Sequence, residues 1–160
     1  MCDVRCLYLT MAYADHVSEA VWSDRYEWLR KTEEEEAGVW GSILLSPQGT
    51  LLTYDLEIAF CAGAWVSVIV LAHAAIDATI RDTELGDYDS NSKKIFGNDH
   101  DLQWLRVVRN RLVHVSHPAR KPPISEEMLN DVAAFQGSLE ADARRAISLV
   151  FRSIYASPGT

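Results

Sequence analysis

The chain has 160 residues, 48% of them hydrophobic, and a formal charge of −8 from 23 acidic and 15 basic side chains. That length and apolar fraction suit a single domain spanning residues 1–160, able to bury a core without metal or disulfide staples. The acidic balance excludes a protein that coats nucleic acid indiscriminately, which needs Lys and Arg against phosphates.

Cys2, Cys6 and Cys61 are odd in number and form no Cys-x-x-Cys pair, and no stretch of this sequence reads as a cleavable signal segment. The expected compartment is therefore reducing and cytoplasmic.

In chain order, Val4 to Lys31 reads as a helix, with Trp22, Tyr26 and Leu29 at steps of four and three as a core or interface stripe. The run Glu33 to Glu36 reads as its solvated end, ahead of Gly38. Between Ala37 and Thr53 the helical period lapses. Ile43-Leu44-Leu45 and Thr50-Leu51-Leu52 flank Ser46-Pro47-Gln48-Gly49, which predicts a small hairpin or loop insertion near 40–53.

Helix resumes from about Tyr54 to Glu84, with Asp55 and Glu57 at the positive end of its dipole. Within it, Ile58 to Ile76 is 19 residues without a formal charge, a length that at about 1.5 Å per residue nearly spans a bilayer core. Six alanines, Gly63, Ser67 and His73, with flanking acids and no Lys/Arg bias, favour a buried central helix instead, so no membrane association is expected. His73, among Leu71, Ala72, Ala74 and Ala75, reads as a hydrogen-bonded core histidine. Asp77, one turn on, is either a contact within the helix or an orienting partner for Arg109 across the bundle.

Gly86 to Asp99 is rich in Asp, Asn and Ser and reads as a loop. The next helix runs from near Asp101 to near Ser116, where His117-Pro118 ends it. Pro122-Pro123 stiffens the connection to a last helix, opened by Ser125, Glu126 and Glu127 and carrying Met128, Val132, Leu139, Ala143, Ala146, Val150 and Ile154, with a local loosening at Gly137. Four helices and a small insertion predict an all-α, up-and-down four-helix bundle.

Chemistry concentrates in Arg109-Asn110-Arg111-Leu112-Val113-His114. Leu105, Val108, Leu112 and Val115 share one arc of the helix, while Arg106, Arg109, Asn110, His114 and His117 gather opposite, in an arc roughly 140° wide. From Leu102 to Ile124 there is no Asp or Glu, against Arg106, Arg109, Arg111, Arg120 and Lys121. RNA carries its own nucleophile, the 2′-hydroxyl, so cleavage needs proton transfer, which histidine performs near neutral pH, and charge stabilisation, which the guanidinium fork supplies. A single histidine cannot readily serve as base and acid together, whereas two copies of this helix about a two-fold would bring two His114 and two Arg109 to one cleft.

No histidine has Glu three positions before it, and His114-x-x-His117 lacks a further ligand nearby. Glycine-rich phosphate loops are absent, and Cys61 lies in an apolar stretch that disfavours a thiolate. Neither a metal nor a cofactor is expected.

The hexapeptide resembles the signature of the HEPN superfamily (higher eukaryotes and prokaryotes nucleotide-binding), in which Arg, commonly followed by a polar residue, precedes His with four to six residues between them. The Ala-rich helix from Trp65 to Thr79 and the long helix after the motif extend the resemblance over roughly residues 54–156. The resemblance implies a HEPN-type bundle and a homodimer with a metal-independent endoribonuclease site at its interface. It further implies a toxin or phage-defence effector acting on RNA, with a partner of the antitoxin or nucleotidyltransferase kind. By position, Arg109 and His114 would be catalytic with Asn110 as polar neighbour, and Arg106, Arg111 and His117 would contact substrate phosphate. Many toxin members continue His-x-Tyr, where this chain has His114-Val115-Ser116. The alternative is a non-catalytic HEPN-like dimerisation or nucleotide- and RNA-binding module.

Overall fold

A computed structural model describes residues 17–38, 45–82, 88–96, 100–114 and 130–155, and every element among them is a helix. In chain order these are α1 (Glu19–Ala37), α2 (Pro47–Cys61), α3 (Trp65–Asp82), α4 (Tyr88–Phe96), α5 (His100–Val113) and α6 (Val132–Tyr155). The class is all-α, as the periodicity predicts.

α3 is the hub. It packs against α2, α4, α5 and α6, and α1 closes the far side by packing on both α2 and α6. Val68, Ile69, Ala72, Ala75, Ile76 and Ile80 of α3 are buried with Leu56 and Phe60 of α2, Leu29 of α1, Leu105 of α5 and Leu139, Ala143, Ala146, Ile147 and Val150 of α6. Each large aliphatic or aromatic side chain removed from water stabilises the fold by roughly 1.5–3 kcal/mol. The alanines let helix axes approach closely.

Several boundaries differ from those the sequence predicts. The first helix starts at Glu19, capped by Ser18, whose Oγ accepts from the Val21 N–H at 3.3 Å; the expected stretch from Val4 to His16 lies outside the described residues. It runs through the glutamate run to Gly38. Glu33 and Glu36 are not a solvated end: Glu33 accepts from Arg30 Nη1 at 2.6 Å and from the Tyr155 hydroxyl at 2.7 Å, and Glu36 faces Arg152 at 3.7 Å. Burial and the Glu33 hydrogen bond push the Tyr155 hydroxyl up to about 12, keeping it a donor. Of the aromatic stripe, only Leu29 enters the core, and Trp22 and Tyr26 are exposed.

The hairpin near 40–53 is replaced, over its described part, by the start of α2. Ser46 Oγ accepts from the Gly49 N–H at 3.0 Å, and Pro47 occupies the first helical turn. Ser-Pro-x-Gly serves a turn or a helix start equally, because Pro at the first position gives up only an N–H that a helix leaves unused. The single helix expected from about Tyr54 to Glu84 is also divided. A turn over Ala62–Ala64 separates α2 from α3, and Gly63 adopts φ 76° there, a backbone region that glycine enters without steric penalty. The uncharged stretch is thus split between two helices. Among the described residues, no helix is long and apolar enough to cross a membrane.

Where a loop is expected between Gly86 and Asp99, α4 forms, burying Ser92 and Ile95 three residues apart. Asp131 opens α6 by accepting from the Ala134 N–H at 3.0 Å; the predicted opening from Ser125 to Met128 lies outside the described residues. Gly137 sits inside an unbroken helix.

Ion pairs tie α5 to α6. Asp101 accepts from Arg145 at 2.8 Å and Arg152 at 3.3 Å, the Arg145 guanidinium lies 4.0 Å from the Trp104 ring centre, and Arg111 faces Asp142 at 3.6 Å. These contacts set the rotation of α5 about its own axis.

Two glycines are expected to respond oppositely to alanine. A Cβ at position 63 would meet Arg25 Nη1 at 2.9 Å on a positive-φ backbone, so Gly63→Ala should destabilise by roughly 1–2 kcal/mol. At Gly137 a Cβ meets nothing within 4 Å, and Gly137→Ala should stabilise by roughly 0.5–1 kcal/mol. Denaturant unfolding of the two variants beside wild type measures both; equal effects would contradict this account.

Candidate functional site

The inward face of α5 decides what its outward face presents. Leu105 and Val108 are buried and Leu112 half-buried, which turns Arg106, Asn110 and His114 to solvent and leaves Arg109 half-buried at the edge beside α3. His114 is the first residue past the helix, and its N–H still donates to the Asn110 carbonyl at 3.0 Å, so the last turn carries on to the imidazole. Val107 and Val113 lie on the same outward side at 60% and 43% exposure. His117, like Val115, is outside the described residues.

Arg111 stands apart from the other cations of the motif. It sits on the α6 side of α5, where Asp142 faces it at 3.6 Å.

The other described arginines show what sets Arg106 and Arg109 apart. Arg30, Arg81, Arg144, Arg145 and Arg152 each face a carboxylate, and Arg25 donates to the Cys61 carbonyl and lies over the Trp65 ring. Arg106 and Arg109 have no carboxylate partner among the described residues. In a chain with 23 acidic residues, these two neighbouring cations keep a local positive charge that no described carboxylate neutralises.

His73 faces this edge from α3. Burial pushes its imidazole below the ordinary value of 6.5, Arg109 and Arg106 push it further down, and Asp77 opposes them. His73 is half-buried, not sealed in the core. Asp77 makes its contact within its own helix, accepting from Arg81 Nε at 2.9 Å, so it does not serve as the orienting partner of Arg109. Sequence reasoning sees His73 only as one polar residue in an alanine-rich helix; its neighbourhood to Arg109 exists only once α5 packs on α3.

Cys61 is buried, and burial together with Glu57 raises its thiol, which disfavours a nucleophilic role. Among the described residues, no group of three or more His, Cys, Asp or Glu is placed to hold a metal ion.

The depressed His73 imidazole has a signature in stability. As pH falls below 6.5, the unfolded chain takes up a proton at this position that the folded chain refuses, so stability declines until the lower native value is passed. Above 6.5 the imidazole is neutral in both states and contributes no pH dependence. Unfolding at about pH 7.5 and pH 5.5 should therefore show a loss that His73→Gln diminishes. An identical loss in that variant would show that His73 does not titrate as described.

Compared with known proteins, the chain matches no family model, no curated protein and no solved structure.

Proposed function

We propose that this protein is a HEPN-type helical domain acting as a metal-independent endoribonuclease, with Arg109, Asn110 and His114 of two copies forming one site across a homodimer. The observation that carries this reading is the exposed pair Asn110 and His114, one turn apart on the outward face of α5, with half-buried Arg109, unpaired among the described residues, at the edge of that face. Exposed Val107 and Val113 lie among these polar groups and supply apolar surface for a second copy to cover.

In this mechanism one His114 accepts the 2′-hydroxyl proton as the 2′-oxygen bonds to phosphorus. The phosphorus–5′-oxygen bond breaks, and the other copy's His114 gives its proton to the departing 5′-oxygen. The products are a 2′,3′-cyclic phosphate and a 5′-hydroxyl. The two Arg109 guanidinium groups hold the phosphoryl oxygens as charge develops on them, and Asn110 orients the phosphate or the imidazole.

Arg106 adds charge along the incoming strand, while Arg111 keeps its pair with Asp142 at the rim. Cleavage of single-stranded RNA by the wild-type protein should persist in excess chelator, and His114→Ala and Arg109→Ala should each slow it by roughly 10²–10⁴-fold at unchanged helical circular dichroism. Intact RNA after incubation with wild type, or variants that cut at the wild-type rate, would sink this mechanism. Retained RNA binding without cleavage would identify the non-catalytic module instead.

A further inference from the structure

Eight large apolar side chains are exposed among the described residues, and five of them belong to one side of the α1–α2 pair: Trp22 and Tyr26 of α1, and Leu51, Tyr54 and Ile58 of α2. Each set is a stripe, at a step of four on α1 and at steps of three and four on α2. The stripes adjoin. The Arg30 guanidinium lies 5.1 Å from the Tyr26 ring centre and places Nη2 2.7 Å from Glu57, which follows Tyr54 by three residues and directly precedes Ile58. α1 packs on α2 and α6, and α2 on α1 and α3, yet these five side chains remain in solvent.

Charge decides what can cover them. α1 and α2 carry nine acidic side chains against three basic ones, and all three bases are engaged. Arg25 donates to the Cys61 carbonyl, Arg30 faces Glu33 and Glu57, and Lys31 faces Glu35 at 3.9 Å. Glu19, three residues before Trp22, Glu27, next to Tyr26, and Asp55, next to Tyr54, are exposed and have no basic partner among the described residues. We propose that this face is a docking surface for a basic protein partner, which buries apolar anchors along the two stripes and sets Lys or Arg against the acidic rim.

The same rim rejects the other occupants. RNA and anionic lipid headgroups meet charge of their own sign. Two copies of the face, related by a two-fold, would oppose acid to acid. A cationic amphipathic helix satisfies both parts of the surface, its apolar side on the stripes and its basic residues at the rim. The face lies on α1 and α2 and uses neither Arg109 nor His114, so it goes beyond the ribonuclease reading and does not depend on it.

The probe is a synthetic amphipathic peptide of Leu and Lys at helical spacing, with a twin in which Glu replaces every Lys. Titrated into the isotope-labelled full chain, the Lys peptide should shift the NMR amide signals of Trp22, Tyr26, Leu51, Tyr54 and Ile58, and the Glu twin should not. Leu51→Lys and Tyr54→Lys, at positions 67% and 64% exposed and therefore compatible with folding, should each weaken binding roughly tenfold. Ser138→Lys adds the same charge at an exposed position of α6 and should weaken it far less. Equal binding of the two peptides overturns the proposal, as does no binding of the Lys peptide, or an affinity that falls no further in Leu51→Lys and Tyr54→Lys than in Ser138→Lys. Association of the protein with itself that both Tyr54→Lys and Arg106→Glu abolish would assign the face to the α5 edge of a second copy and overturn the basic partner. RNA cleavage, whether seen or not, decides the ribonuclease reading and leaves this one to the peptide titration.

Discussion

The structure depends on burying α3 from several sides at once. Val68, Ile69, Ala72, Ala75, Ile76 and Ile80 recur at spacings that carry apolar groups well round the helix, more than one neighbour can cover. α2, α4, α5 and α6 all pack on it, and α1 is held by α2 and α6 in turn. This demand explains the break at Gly63: α2 must fold back beside α3, which a continuous helix cannot do. Arg25 then secures the turn by donating to the Cys61 carbonyl at 3.0 Å.

The same demand makes the candidate site. A helix packed on several sides brings the polar residues it carries near its neighbours, and His73 comes within the electrostatic reach of Arg109 and Arg106 in this way. α5 is then clamped on its opposite side by the Asp101 and Arg111 ion pairs to α6, so Arg109 is held beside α3 while Asn110 and His114 face outward. Exposed ion pairs contribute little stability singly. Their effect here is orientational, distributed over both ends of α5.

Charge is divided accordingly. The acidic excess of α1 is absorbed in part by Arg30 within the same helix and by Arg152 and the Tyr155 hydroxyl of α6, far away in sequence. Among the described residues Arg106 and Arg109 are left out of that neutralisation, so a chain of net charge −8 presents a local positive edge there. Mean charge is therefore a poor guide to the local charge of this face.

What the sequence determined by itself was the all-helical class, the buried faces of α5 and α6, and the outward placement of Asn110 and His114, because those follow from residue spacing along one helix. Leu105 and Val108, or Leu139, Ala143, Ala146 and Val150, announce their faces without reference to any partner. Element ends were less legible: Ser46-Pro47-Gln48-Gly49 fits a turn or a helix start, and an alanine-rich run conceals a break that rests on one glycine. Tertiary structure alone decided that Arg111 faces Asp142, that Asp77 stays with Arg81, and that His73 comes within the electrostatic reach of Arg109. Those are relations between side chains on different helices, or choices among competing neighbours, and the electrostatic field that selects them does not exist until the helices have packed.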